Sequence, residues 1–458
     1  MRRAAAASVL VLALLAAPAQ ASVEGALTEL TGAGSCLTEN PATTPDCAQL
    51  TGFPRERGQA GAVGVPAFSA DGRNGYLGTQ RPGRDVDEGP GTLHVLGRDA
   101  PSGRLTELTG PGSCFAEDGL APCRRAHGLS SFPRATVTND GRFVYAASGD
   151  AVLVFRRDAA TGRLTQLAGR RGCVSRLAEP GCTRVRGMYV NSMTLTPGDR
   201  QVVVAGGPSL LVLRRNGRSG ALTWPGKKTG CVSASDGSRC RRIPEIEDVP
   251  RYSRDGRSAY AASGDVDGVV VFRNEPSTGE LRAVGEPVCA RRRRTGRVPR
   301  RCGFGSGGSH LITLSPDERN LYMSDTVRDE LVAFAIDRPR EVRAIAGPFG
   351  CTRGVTGGIC EDQFIGWQLE LTPDGRFGYE LVGGLVLAFS RDRESGALTL
   401  LPGADACLSD SGLPPCTPFR NLREPWRSRL SPDGRQLYVA SSVGSSPPGN
   451  TLVVLGRG

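Results

Sequence analysis

Three histidines, His94, His127 and His310, make up the whole imidazole supply of this 458-residue chain. Acid–base chemistry near neutral pH therefore has few places to sit. His310, in GGSHLITLSPDER, is the strongest of them. It lies five residues before a Ser-Pro-Asp turn, and six related turns recur along the chain. The same count back from those turns gives Gly64, Pro133, Asn191, Asp248, Trp367 and Trp426. Two before each turn stand Arg251, Glu370 and Arg429, with Ala67, Thr136, Thr194 and Thr313 in the other repeats. Four before adds Arg134, Gln368 and Arg427. Such a set could act on a lactone or ester: Arg251 or Arg429 polarising the carbonyl, His310 or Glu370 activating water. Asp248, Asn191, Arg134 and Arg427, with Trp367 and Trp426 as flat walls, would hold the ligand. The plainer account is a structural ion network around a water-filled channel, since buried Arg and Glu must pair. His94 sits in a strand and reads as structural, and His127, in CRRAHGLSS, is a weaker candidate than His310. No G-x-S-x-G and no repeated calcium loop is present, and Asp265-Val266-Asp267-Gly268 reads as a turn.

The fourteen cysteines follow the same rhythm. They pair along the chain as Cys36/Cys47, Cys114/Cys123, Cys173/Cys182, Cys231/Cys240, Cys289/Cys302, Cys351/Cys360 and Cys407/Cys416. Pairing within each short loop is expected, with pairing between repeats left open by spacing alone. Closing a loop of this size removes denatured-state entropy equivalent to about 2.5–3 kcal/mol on the entropic model. No C-x-x-C occurs, so no metal and no haem attachment is expected, and no cofactor is implied.

The formal net charge is +11, and it is concentrated. The segment CARRRRTGRVPRRC carries Arg291, Arg292, Arg293, Arg294, Arg297, Arg300 and Arg301 and no acid. Without those seven and without Arg2 and Arg3 the balance is +2. The basic character belongs to one loop, which could contact an anionic polymer. It has no aromatic interleaving for specific nucleic-acid readout.

The elements that must position these residues are strands. The turn markers read SADGR, TNDGR, TPGDR, SRDGR, SPDER, TPDGR and SPDGR, beginning at Ser69, Thr138, Thr196, Ser253, Ser315, Thr372 and Ser431. Asp-Gly supplies the positive φ of a tight hairpin. Before each turn runs a short strand (LITLS). After it come FVYAAS-type and VLVFRRD-type runs, continuous apolar segments buried on both faces. A second turn, RDAATG or RDRESG, leads to RLTQLAG; repeat five lacks its TG, and a different turn is expected there. The first cysteines recur every 56 to 62 residues after the first step, a propeller or solenoid period. Residues 25–36, GALTELTGAGSC, match 103–114, whereas 451–458, TLVVLGRG, stop where that segment should follow. The expected fold is all-β: a seven-bladed β-propeller of four-stranded blades, closed by the N-terminal strand completing the C-terminal blade. Antiparallel alternation puts the short uniform turns on one face of the disc. The long loops with every cysteine pair lie on the other, the expected working face.

Residues 1–21 read as a leader with Arg2 and Arg3, an apolar Ala4–Ala17 run and Ala19-Gln20-Ala21 before the cut. Residues 22–458 form one domain. No later run is long and apolar enough for a membrane helix. An exported, disulfide-bonded monomer is expected.

The SPDGR–LYVAS strand pair and the VLVFRRDxxTGxLTQL run resemble the bacterial lactonase-type seven-bladed propellers, the YVTN-repeat relatives of 6-phosphogluconolactonase. The GC…C loops resemble a secreted, cysteine-bearing branch. That resemblance implies lactone chemistry at the channel mouth with His, Arg and Glu and without a redox cofactor, and GGSH at 307–310 is similar to the family's His-bearing entry to the inner strand. An exported chain has no obvious access to a cytosolic sugar phosphate. The leading expectation is therefore a binding or interaction scaffold for a small molecule, glycan or protein on the loop face. A lactone hydrolase is the alternative.

Overall fold

A computed structural model describes residues 23–32, 34–39, 44–51, 61–81, 89–226, 230–235, 240–263, 268–289, 310–325, 330–345, 368–410, 412, 414–442 and 450–458. The leader and the Arg291–Arg301 segment lie outside them. The chain folds as an all-β β-propeller, and no helix among the described residues is long and apolar enough to cross a membrane. Its strands fall into seven separate sheets in chain order.

The second sheet shows the plan. Arg134–Val137, Phe143–Ser148 and Ala151–Arg157 run antiparallel from the centre outward. Phe143–Ser148 is buried throughout, as a strand sandwiched between neighbouring sheets must be. The fourth position is shared. Leu164–Gln166 pairs with one half of the third strand, and Cys173–Ser175 pairs with the other half. A sixth strand, Thr183–Arg184, then pairs parallel to the cysteine strand. The expectation of four-stranded blades is corrected here. Segments such as CVS are three residues long, too short to show a period, yet they are sheet rather than loop. Parallel strands are ordinarily joined by a dozen or more residues. Here Cys173–Cys182, at a separation of nine residues, pins the two ends of a shorter crossover. The same arrangement recurs in the first, third, sixth and seventh sheets, at Cys114–Cys123, Cys231–Cys240, Cys407–Cys416 and Cys36–Cys47. Cys289 is also disulfide-bonded; Cys302, Cys351 and Cys360 lie outside the described residues. In the fifth sheet the strand Glu330–Arg338 returns as Glu341–Ala344 over Pro339 and Arg340, with Arg340 at φ 75.

The seventh sheet is built from both ends of the chain. Leu27–Glu29 and Cys36–Thr38 lie antiparallel to Thr451–Arg457, with Leu27 opposite Arg457 and Cys36 opposite Val453. Gly458 donates its N–H to the Ala26 carbonyl at 2.9 Å.

The core lies between sheets. Tyr145, Val152 and Val154 of the second sheet pack with Val202, Val204, Leu211 and Leu213 of the third. A polar clamp crosses the seams on the face of the short turns. Arg157 ends the third strand of the second sheet and donates to Tyr76 Oη of the first at 2.7 Å. Tyr76 donates in turn to the Gly162 carbonyl at 2.9 Å, and Arg157 reaches Asp71 in the first turn. The same Arg–Tyr–Asp set recurs as Arg215–Tyr145–Asp140, Arg391–Tyr322–Asp317 and Arg98–Tyr438–Asp433. Arg457, Tyr379 and Asp374 make a looser version at the seam of the sixth and seventh sheets. Between the third and fourth sheets all three members have changed, to Asn274, Val203 and Gly198.

The turns explain the two irregular markers, TPGDR and SPDER. The fourth turn residue has positive φ in all seven: Gly72, Gly141, Asp199, Gly256, Glu318, Gly375 and Gly434. Where the preceding sheet's turn carries Pro at its second position, this residue is Gly. A Cβ on Gly434 would come within 2.5 Å of Pro373. Where that second residue is Asn139 or Arg254, its backbone N–H donates to the carboxylate of Asp199 or Glu318 in the next sheet.

Candidate functional site

Inner strands deliver their first residues to the loop-face end of the channel. A cavity of about 600 Å³ opens there, lined by Gln80, Phe132, Arg134, Asn191, Asp248 and Arg427 among others. These come from five different sheets. Of the residues singled out in the sequence, Arg134, Asn191, Asp248 and Arg427 therefore share one wall.

Two guanidiniums dominate it. Arg427 lies 5.7 Å from the centre of the Trp426 ring, and Arg134 lies 5.9 Å from that of Phe132. The two rings are themselves 5.9 Å apart. Arg134 donates to the Asn191 carbonyl, and its Nε is buried with no partner. Burial pushes the Arg427 guanidinium down to about 10, Arg134 pushes it further, and Asp248 opposes both. Arg429 and Arg251 add smaller repulsions. Burial also lowers Arg134, again against Asp248. Asp248, the carboxylate opposing this charge, is already shared, since Arg251 approaches it at 3.5 Å while donating to the Ile312 carbonyl at 3.0 Å. A half-buried cationic pocket with aromatic backing stabilises an incoming anion.

The remaining candidates sit elsewhere. Glu370 accepts from Gln368 Nε2 at 2.5 Å and from the Leu430 N–H at 3.4 Å, so it ties the sixth sheet to the seventh. Arg429 is exposed and acts on the pocket only through its charge. Arg251 lines a second hollow of about 500 Å³ toward the turn face, with Thr136 and Thr194. His310 opens its strand opposite Asp325; its side chain and Trp367 lie outside the described residues, as do Arg291, Arg292, Arg293, Arg294, Arg297, Arg300 and Arg301.

Sequence reasoning missed the rim. Tyr189 is 50% exposed, and Arg176 lies 4.7 Å from its ring centre. Asp150 fixes that guanidinium with contacts of 2.6 and 2.8 Å. Tyr189 stands two residues before Asn191, so extending the backward count would have reached it.

His94 has the connectivity of a hydrolytic triad. Thr79 Oγ1 is 2.9 Å from its Nε2, and Glu107 Oε1 is 2.7 Å from its Nδ1. Thr79 and His94 are 0% exposed, so no substrate reaches the hydroxyl. Glu107 instead accepts from the N–H and hydroxyl of Thr51, a residue following the seventh sheet. His127 is exposed, and its backbone exchanges hydrogen bonds with the Gln166 side chain. Among the described residues no group of three His, Cys, Asp or Glu is placed to hold a metal.

No protein-family model and no curated protein matches the chain. Solved structures do. The β-propeller domain of Cps50 (Swd1) from Myceliophteria thermophila aligns at TM-score 0.50 and 11% identity, over 89% of this chain and 99% of that one. A periplasmic gluconolactonase from Pseudomonas aeruginosa aligns at 0.49 and 18%, over 87% and 96%. A 6-phosphogluconolactonase, so described, from Bacteroides uniformis aligns at 0.48 and 16%, over 85% and 95%. At 11% identity the first of these likenesses shows a shared propeller fold and nothing of activity.

Proposed function

We propose that the chain is an exported, seven-bladed propeller that serves as a binding scaffold outside the cell and takes a small anionic ligand at the loop-face mouth of its channel. Seven separate sheets and five described disulfides support the architecture and the oxidising compartment. The observation that carries the ligand reading is Arg427, a half-buried cation that shares the cavity with a second arginine, Arg134, and feels its repulsion. Two like charges buried side by side are costly. A carboxylate or phosphate of the ligand removes that cost, and Tyr189 and Trp426 offer flat apolar surface beside it.

The test is calorimetric titration at low salt with a panel of sugar acids, aromatic acids and phosphosugars, each beside its neutral analogue. Anions should bind, neutral analogues should not, and Arg427→Gln or Arg134→Gln should weaken binding at least tenfold with an unchanged melting profile. Equal binding of neutral analogues rejects the reading. Lactone turnover abolished by His310→Ala or Glu370→Ala would replace it with a hydrolase reading.

A further inference from the structure

A second basic cleft lies away from the channel, on the loop face where the first sheet meets the second. It has a volume of about 290 Å³ and is lined by Arg124, Arg125 and His127 on one side. The wall opposite runs from Thr165 to Gly172, and its one-turn helix Gly169–Arg171 carries Arg170 and Arg171. All four arginines are exposed, and none forms an ion pair among the described residues. Of the acids nearby, Asp118 is taken by Arg81. Glu117 feels Arg125, but burial and Asp118 push its carboxyl up, with Glu179 adding to that push.

The repeat itself shows what this cleft lacks. Arg241 follows Cys240 as Arg124 follows Cys123, and Glu280 follows its turn glycine as Arg163 follows Gly162. At the seam of the third and fourth sheets, Glu280 pairs with Arg241 and, at 2.9 Å, with Arg282, while Arg241 donates to the Leu281 carbonyl at 2.8 Å. There the chain supplies its own carboxylate. At the seam of the first and second sheets the corresponding residue is Arg163, whose guanidinium turns away to the Pro111 carbonyl. The cation has been kept and the anion replaced by a further cation.

We propose that this cleft docks carboxylates of an acidic polysaccharide, a polyuronate, independently of the channel mouth. The equivalent arginine, Arg241, is paired with a carboxylate, which sets the chemistry. Arg124 and Arg125 line one wall, and Arg170 and Arg171 stand exposed on the short helix at the other, which suits charges repeated along a polymer rather than a single ion. Of the rings lining the cleft, Phe115 is 4% exposed and offers no face for base stacking, which leaves the lone imidazole of His127 rather than a stacking platform.

Binding of full-length protein to polygalacturonate, measured at several salt concentrations, tests this. Arg124→Ser with Arg125→Ser should weaken binding at least tenfold. Arg163→Glu should do the same while leaving the melting temperature unchanged or raised, because it rebuilds the internal pair. Arg200→Ser with Arg218→Ser removes the same charge from the turn face and should change binding less than twofold. The Arg291–Arg301 segment is intact in every variant. Equal losses in all three would make the effect one of net charge and overturn the proposal. So would unchanged binding in Arg163→Glu, or tighter binding of charge-matched duplex DNA with the same dependence on Arg124 and Arg125.

Discussion

Glu39 ends the cysteine strand of the seventh sheet and is 8% exposed. Its Oε1 accepts from the Asn450 N–H and side-chain amide and from the Gly61 N–H, while Oε2 has no partner. Burial outweighs those bonds and pushes the carboxyl up to about 7. A folded-state value above the unfolded one means that the folded chain holds the proton more tightly. The resulting stability is full below about pH 4.5 and is lost as pH rises through 7. Wild type should therefore lose about 3 kcal/mol relative to Glu39→Gln over that interval, read from chemical denaturation at pH 4.5, 6 and 8. A parallel pair of profiles would remove the basis for a buried, protonated carboxyl. Asp317 works with the opposite sign. Burial alone would raise it, but hydrogen bonds from Arg391 and Ser315 win and hold it at about 2. Its contribution is present above about pH 4 and is lost as pH falls through 2. Neither role was legible in the sequence, since Glu39 gains its partners from residues more than twenty and more than four hundred positions away.

The turns are where one sheet specifies the next. Asn139→Pro would remove the N–H that Asp199 accepts, leaving a 6% exposed residue short of a donor. A loss of about 1–2 kcal/mol is expected. Asn139→Pro with Asp199→Gly recreates the Pro–Gly pairing of Pro197/Gly256, Pro316/Gly375, Pro373/Gly434 and Pro432/Gly72. The double variant should return close to wild type, with a coupling of about 1 kcal/mol in the double-mutant cycle. Additive losses would show that the two positions do not communicate. The individual strands and tight turns were readable, because apolar runs and Asp-Gly carry local signals. The Arg–Tyr–Asp clamp was not, although its members stood in every quoted strand. An FVYAAS tyrosine and an FRRD arginine look like packing and surface until the next sheet is laid against them. The outer strands also escaped notice, because two or three residues cannot display a period of two. For the site, Arg134, Asn191, Asp248 and Arg427 were found by counting, which works because inner strands start in register. Glu370 was equally in register, yet it spends its oxygens on the neighbouring sheet.

At the scale of the whole molecule, cohesion is uneven. Each described disulfide closes within one sheet, so none crosses a seam. The clamp holds five seams, but the fourth sheet has none on either flank: Asn274 faces Val203 on one side, and Ile336 faces Tyr260 on the other. On the second flank Arg254 and Glu318 compensate in part. Hydrogen exchange should report the fastest sub-global opening at the strands Ser258–Ser263 and Gly268–Glu275. Uniform protection across all sheets would contradict this. The channel cavity takes Tyr189 and Asn191 from one side of the unclamped seam and Glu247 and Asp248 from the other. An anion seated there would tie together two sheets that lack the clamp and are held by Arg241 with Glu280 and by Gln201, which donates to the Pro276 carbonyl at 2.9 Å. The free energy of capture would appear as resistance to opening in a part of the molecule that the ligand only borders. Exchange in the fourth sheet would then slow in proportion to occupancy, and the propeller would report its ligand through a seam that lacks the clamp.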